Sequence, residues 1–385
     1  MKIAVPVERR PYEKRVAATP DTVKKYRGLG FDVVVETGAG AAASFYDDQY
    51  VAAGAQIAAD AASLLHDADI VLKVQRPMTE SEGRNEIGLF KRGALLISTL
   101  NPYGARGDLT LYANAGIDAM AMELAPRITR AQAMDVLSSQ SNLAGYKAVI
   151  DAATEFGRGF PMMMTAAGTV PPARVMVMGA GVAGLQAIAT ARRLGAIVCA
   201  TDVRPIAKEQ VESLGATFVM VESEETKQAE TSGGYAKEMS DDYKRRQAEL
   251  IAETLKKQDI VICTALIPGR AAPRLITEDM LRTMKPGSVI VDLAVEQGGN
   301  CALSEAGSVV EAHGVRIVGH RNVPSRIAVD ASALYSRNLF NYVTLLAAKQ
   351  GGTLTIPWDD EIVRAVTLTR AGAIIHPQFA TTPTN

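Results

Sequence analysis

Thiols, imidazoles and aromatic rings are all scarce in this chain: three cysteines, four histidines, a single tryptophan and 5% aromatic residues overall. Cys199, Cys263 and Cys301 are odd in number, lack CxxC spacing, and the first two lie inside apolar runs, which excludes a disulfide scaffold and suits buried thiols in a reducing compartment. His66, His313, His320 and His376 are scattered, with no i, i+4 pair and no neighbouring thiolate, so a tetrahedral metal site has little to be built from and none is expected. An excess of one charge is also missing. Lys+Arg 41 against Asp+Glu 42 gives a formal charge of −1, which offers no field to attract nucleic acid or an anionic membrane surface. The longest uncharged stretch, between Arg174 and Arg192, is broken by glycines and falls short of the roughly 20 apolar residues that span a bilayer. Glu8, Arg9 and Arg10 come too early for the apolar stretch of a signal peptide. A cytoplasmic chain with no direct membrane insertion is expected.

What is present is an aliphatic sequence of 385 residues, 48% apolar, enough for two domains with sizeable cores. Short β-branched runs alternate with helical stretches that stop at glycine, the pattern of parallel sheets with crossover helices. Lys2–Val7, a helix from Thr19-Pro20 to Leu29-Gly30, and Asp32–Glu36 make a first βαβ unit, and further strands are predicted at Asp69–Val74, Ala94–Thr99 and Gly116–Ala121. From Thr129 to about Gly157 proline is absent and apolar residues recur at helical spacing, which predicts one long connecting helix. The Met-rich, Gly/Pro-punctuated stretch from Phe160 to Pro172 reads as a linker loop. Strands are predicted again at Arg174–Met178, Ile197–Thr201, Thr217–Val221, Asp259–Thr264, Ser288–Leu293 and Val315–Val318. The polar segment from Glu222 to Lys257 suits a mobile surface loop or, equally, a merely solvated loop and helix. The fold class expected is therefore α/β: two Rossmann-like, doubly wound parallel-sheet domains joined by long helices with a cleft between them. Residues 1–130 plus 328–385 would form one and residues 131–327 the other.

Two constellations carry chemistry. Gly179-Ala180-Gly181-Val182-Ala183-Gly184 follows a predicted strand and opens a predicted helix, and Asp202 ends the next strand 18 residues beyond Gly184, which is the context of a dinucleotide site. Gly179 would make the tight turn, Gly181 would let the backbone approach the pyrophosphate, and Gly184 would let helix and strand pack closely. Asp202 could accept both ribose hydroxyls and repel a 2′-phosphate, favouring NAD over NADP. Arg204 could pair with such a phosphate, flank the adenine or lie in solvent. The second constellation is Arg127, Gln132, Asp135 and Ser138. On one helix Gln132, Asp135 and Ser138 would share a face, with Arg127 turning toward Asp135, and such groups can hold a carboxamide. A solvated helix face is the competing reading.

The strings Ser138-Ser139-Gln140-Ser141-Asn142-Leu143-Ala144-Gly145-Tyr146, Pro161–Arg174, Gly233–Met239, Thr264–Gly269 and Lys285–Ala294 resemble, nearly end to end, the NAD(H)-binding subunits of the proton-translocating nicotinamide nucleotide transhydrogenase family. The resemblance implies an oxidoreductase of the Si-specific type, active only with partner subunits. It would be a homodimer, peripheral on the inner face of the plasma membrane, docked on membrane-spanning subunits and exchanging hydride with NADP(H) held by an NADP(H)-binding domain. Arg127, Asp135 and Ser138 would then hold the nicotinamide, with Gln132 between the two nicotinamides and Ile128, Thr129, Val136 and Leu137 alongside. Val182, Asp202, Val203, Arg204, Gly234, Gln247 and Leu266 would line the NAD site, and the loop around Tyr235 would close over it.

The alternative is an amino-acid oxidoreductase like alanine dehydrogenase, a family that shares the N-terminal pattern. Arg15 and Lys73 stand where that family binds its keto acid. Asn101 stands where it carries a catalytic histidine, and Glu296 replaces its aspartate. Oxidising an amino acid moves a proton as well as a hydride and needs a tuned acid/base, which asparagine cannot supply. Hydride exchange between nicotinamides needs only positioning and exclusion of water.

Overall fold

The computed structural model describes residues 1–204, 206–221, 240–267, 269–348 and 351–380. Gly234 and Tyr235 lie outside the described residues. The chain divides into two compact units, Met1–Gln140 with Ser325–Asn385, and Ser141–Pro324. The seams fall at 140/141, within a helix, and at 324/325, just ahead of another; the sequence pattern puts them at 130/131 and 327/328.

In the first unit six strands, β1 (Lys2–Val5), β2 (Asp32–Glu36), β3 (Gln56–Ala58), β4 (Ile70–Gln75), β5 (Leu95–Thr99) and β6 (Asp118–Ala121), form an all-parallel sheet in the order 3-2-1-4-5-6. Successive side chains of a strand face opposite ways, and the buried runs use both faces. Ile3, Val5, Val33, Val35, Ile70 and Leu72 pack with Tyr335, Leu339, Tyr342 and Val343 of the helix Ala328–Leu346, which returns from the C-terminal segment. Ala4, Val34, Val71 and Leu96 pack on the other side with Leu64, Leu109 and Tyr112.

In the second unit the first strands form a two-stranded antiparallel ribbon, β7 (Met163–Thr165) and β8 (Gly168–Val170). This corrects the expectation of a plain linker loop over 160–172: the two strands are only three residues each, too short for a sequence pattern to show. Its sheet contains β9 (Arg174–Met178), β10 (Ile197–Thr201), β11 (Thr217–Phe218), β12 (Ile260–Cys263), β13 (Val289–Asp292), β14 (Val309–Ala312) and β15 (Val315–Val318). Their order is 11-10-9-12-13-15-14, and only the edge strand β14 runs antiparallel. Leaving that edge aside, both units repeat one doubly wound order, which reverses direction beside the first strand. Ligands of such sheets bind at the carboxyl ends of the strands at that reversal. In the second unit the ends of β9 and β12 meet there, followed by Gly179 and Thr264.

The long helix also needs correction. Thr129–Met134 is a 3-10 turn, Asp135 is extended (φ −73°, ψ 90°), and the α-helix runs from Val136 to Glu155. The apolar spacing runs unbroken through Met134 and Leu137, so periodicity hides the break. The cause is Asp135, whose carboxylate bonds the helix's first turn from outside it.

Candidate functional site: a glycine turn and a capped polar turn

The strand β9 delivers the chain to Gly179 at φ +100°, a left-handed conformation that side-chain-bearing residues avoid. A Cβ there would also lie 2.7 Å from Thr264 Oγ1. The Thr264 hydroxyl donates to the Gly179 carbonyl at 2.9 Å, and the Thr264 amide donates to the Met178 carbonyl at 2.8 Å, so the exit of β12 braces the turn. Gly184 is required for a different reason: a Cβ at this position would be driven into the Gly179 carbonyl oxygen. Gly181 is open, its nearest non-neighbour being Arg204 Nη2 at 4.0 Å from a built Cβ. The helix Val182–Arg193 begins directly after it, three residues earlier than its apolar run, with no side-chain cap on its first turn. A bent turn, a close-packed helix and an uncovered backbone approach to uncapped N–H groups are what a diphosphate needs, so these residues fit a dinucleotide.

Val182, at the start of its helix, and Leu266, in the loop after β12, are both 41% exposed and present apolar side chains at this end of the sheet. Val203 packs against Tyr243, and Gln247 is half-buried in the helix Asp241–Leu255. Asp202 is not waiting open for a ribose. Its Oδ2 accepts from the Ala180 amide at 2.7 Å and from Arg204 Nη2 at 2.8 Å. Its Oδ1 accepts from the Arg204 amide and Nε, both at 2.9 Å.

The second constellation belongs to the first unit. Asp135 Oδ1 accepts from the Ser138 amide at 2.9 Å, the bond of an N-cap, and Oδ2 accepts from the Ser138 hydroxyl at 2.5 Å. Asp135 and Ser138 are therefore brought together, as expected, but by capping rather than on one helical face. Both are half-buried, while Arg127, Gln132 and Thr129 are exposed and Ile128 is half-buried. Leu137 is 41% exposed, whereas the Val136 side chain lies in the core. The turn bearing Gln132 is pinned by residues that sequence reasoning missed. Asn338 and Asn341 of the returning helix each donate from Nδ2 to the Ala133 carbonyl at 2.9 Å, and Ser139 Oγ donates to Asn338 Oδ1 at 2.7 Å. Two asparagines three apart on one helix face were the available signal.

Arg15 and Lys73 are deeply buried beside carboxylates of their own chain. Arg15 forms a two-pronged pair with Glu13 at 2.8 and 2.7 Å and donates to Gln140 Oε1 at 2.8 Å. Lys73 Nζ lies 3.3 Å from Glu8 Oε2 and 3.6 Å from Glu86 Oε2. Burial pushes the Glu13 carboxyl up, but the Arg15 charge and hydrogen bonds outweigh it and hold it down at about 2. For Glu8 burial outweighs Lys73 and the pKa is raised. Asn101, at φ +48°, and Leu100 both give their amides to Glu123 Oε1, that of Leu100 at 2.8 Å. Glu296 is exposed and accepts from the Asn322 amide at 2.9 Å.

Glu123 itself yields a prediction. Its residue is partly exposed, but Oε2 is sealed from solvent without a hydrogen-bond partner. Burial therefore dominates the bonds from its own, Asn101 and Leu100 amides, and lifts the pKa to about 7 from 4.5. Between those values the folded chain holds a proton that the unfolded chain has lost, so stability falls as pH rises from 4.5 to 7 and stays lower above it, by about 3 kcal/mol in all. Thermal melts at pH 5 and pH 8 check this: Glu123→Gln should remove most of that contribution, and an unchanged pH dependence would contradict it.

Among the described residues no cluster of His, Cys, Asp and Glu could hold a metal ion, and no helix is long and apolar enough to cross a membrane. Two family descriptions match the chain: alanine dehydrogenase/PNT, N-terminal domain, over residues 4–144, and alanine dehydrogenase/PNT, C-terminal domain, over residues 148–377. A protein of Rhodospirillum rubrum named as an NAD(P) transhydrogenase subunit alpha is 61% identical over 377 residues, covering 98% of each chain. Alanine dehydrogenase of Halomonas elongata is 33% identical, over 91% of this chain and 88% of that one. The crystal structure of transhydrogenase from Sinorhizobium meliloti matches with a TM-score of 0.87 at 54% identity, over 97% of this chain and all of that one. The chain belongs to the alanine dehydrogenase/PNT family.

Proposed function

We propose that this chain is the NAD(H)-binding subunit of a proton-translocating transhydrogenase, carrying out the NAD side of a direct hydride exchange with NADP(H) held by a partner subunit. The observation that carries this reading is the glycine turn at Gly179–Gly184, which fits a dinucleotide at each of its three glycines. The identity to proteins named as transhydrogenase alpha subunits supports this choice of reaction.

In this reading Gly179, Gly181 and Gly184 hold the pyrophosphate, Asp202 the adenosine ribose, and Val182, Val203, Gly234, Gln247 and Leu266 the remainder of the nucleotide, with Arg204 beside the ribose and Tyr235 closing over it. NAD(H) supplies the hydride donor or acceptor carbon. Arg127, Asp135 and Ser138 hold the nicotinamide carboxamide, next to Ile128, Thr129, Val136 and Leu137. The Asp135 cap on Ser138 fixes both groups before any ligand arrives, which lowers the ordering needed at the reaction. Gln132 projects from a pinned turn toward solvent, where it can meet a second nicotinamide. No proton has to be stored on any of these groups, because hydride transfer between two nicotinamides needs no acid or base at the reacting carbons.

Membrane-spanning subunits and an NADP(H)-binding domain are the proposed partners, holding the chain at the inner face of the plasma membrane. A homodimer is also proposed. Met162, Met163 and Met164, at 59%, 43% and 77% exposure on or beside the β7–β8 ribbon, supply an apolar surface suited to it, and light scattering on the isolated chain would show monomer mass if this is wrong.

Alanine dehydrogenase is the competing reading, and the capture of Arg15 by Glu13 and of Lys73 by Glu8 weighs against it. The purified chain should bind NADH, seen as a change in coenzyme fluorescence, and leave NAD unreduced with alanine. Alanine-dependent NADH formation would transfer the assignment to that rival. Gln132→Ala should slow hydride exchange in the assembled enzyme about tenfold or more while moving NADH affinity less than about twofold. Equal turnover would remove Gln132 from the reaction.

A further inference from the structure

We propose that Arg204 determines coenzyme specificity by occupying, in the free chain, the positions on Asp202 that a ribose diol must take. The inference rests on the dinucleotide reading above and adds a competitor to that site.

A carboxylate offers about four lone-pair directions. At Asp202 four N–H donors fill them: the Ala180 amide, the Arg204 amide, and Nε and Nη2 of Arg204, at 2.7 to 2.9 Å. The two amides belong to the glycine turn and to the exit of β10, and their positions are fixed by the backbone. The other two belong to one side chain, not to the backbone. Hydroxyl groups can therefore reach Asp202 only where the guanidinium now sits. The same guanidinium is the nearest group to the open side of Gly181, 4.0 Å from a built Cβ, so it lies across the approach to the turn as well. The Asp202 side chain is 8% exposed and that of Arg204 18%, which makes this pair less screened than a surface ion pair.

Two consequences have opposite signs for the two coenzymes. NADH must exchange the Arg204 fork on Asp202 for its own hydroxyl donors, so Arg204 weakens NADH binding. A 2′-phosphorylated coenzyme cannot donate from that position and meets the Asp202 charge, but the displaced guanidinium can pair with its phosphate in the bidentate manner arginine favours. Arg204 therefore narrows the preference for NADH that Asp202 alone would impose.

The test is titration of the full chain with NADH and, separately, with NADPH, for the wild type, Arg204→Ala and Arg204→Lys, with melting curves to check folding. Arg204→Ala should bind NADH about fivefold more tightly and NADPH about fivefold more weakly, in line with the loss of one partly screened ion pair. Arg204→Lys, which keeps the charge but loses the fork, should fall between. If NADH binding weakens in Arg204→Ala, or both affinities move together, Arg204 is an ordinary coenzyme contact and the proposal fails. Should Arg204→Ala not fold, an Arg204→Lys preference equal to that of the wild type overturns it. If the folded wild type binds neither coenzyme, the dinucleotide reading fails first, and that result is distinct from an altered preference.

Discussion

Gly184→Val is expected to reduce NADH affinity by more than about a hundredfold, because the side chain would have to enter the Gly179 carbonyl and push the helix Val182–Arg193 away from the turn. The helix end and the bend it packs against are the two halves of the proposed phosphate cradle, so displacing one from the other destroys it. The expected cost includes stability, since Ala187, Ile188 and Ala191 of that helix sit in the core under the sheet. Gly181→Val separates the effects. Among the described residues only Arg204 lies within 4 Å of a Cβ built there, so this chain should melt within a few degrees of the wild type and still lose NADH. Calorimetric titration beside thermal melts reads both quantities. Unchanged NADH affinity in a folded Gly181→Val would show that coenzyme does not approach this backbone.

The largest effect on stability is expected at Lys73. The Lys73 side chain is 2% exposed and faces Glu8 and Glu86. Glu86 also has Arg9, at 3.6 Å; Glu8 Oε2, paired in charge with Lys73, has no hydrogen-bond partner among the described residues. Lys73→Met leaves the Glu8 charge buried and uncompensated, a change that costs about 3–5 kcal/mol. The pKa of Glu8 is already raised by burial, and without Lys73 it should rise further. The variant's deficit should thus be larger at pH 8 than at pH 5, because protonating Glu8 removes the stranded charge. Adding Glu8→Gln should restore at least about 1 kcal/mol, since two neutral side chains then replace a broken pair. Denaturant unfolding of the three chains measures this, and strict additivity of the two substitutions would show that the ion pair does not bear on stability.

How much of this was legible in the sequence depends on what makes a residue's environment local. Buried parallel strands read as short apolar, mostly β-branched runs between helices that stop at glycine, so β1, β2, β9, β10 and β13 were visible, and so was the turn between β9 and its helix. Within the two large sheets the strands that were missed lie at an edge: β3, whose three residues are exposed or half-buried, and β14, which alternates between exposed and half-buried positions. Asp135 was legible as a polar group near Ser138 but not as a cap, because a single extended residue between two helical turns leaves the apolar period unbroken. The partners of the neighbouring Ala133 carbonyl on the returning helix, Asn338 and Asn341, lie about 200 residues away in sequence, beyond the reach of any local pattern. Arg204 illustrates the limit well. The residue two places after Asp202 could have pointed anywhere, and only the fold brings both its amide and its guanidinium onto that carboxylate.

Whether hydride passes directly from one coenzyme to the other is tested most directly by isotope transfer in the assembled enzyme. NADH deuterated at the transferred C4 position is mixed with NADP, this chain and its NADP(H)-binding partner in ordinary water, and the NADPH formed is weighed by mass spectrometry. Near-complete retention of deuterium, with none transferred when the partner is left out, is the expected result. Exchange of the label with solvent, or NADH turnover by this chain alone with pyruvate and ammonia, would contradict it.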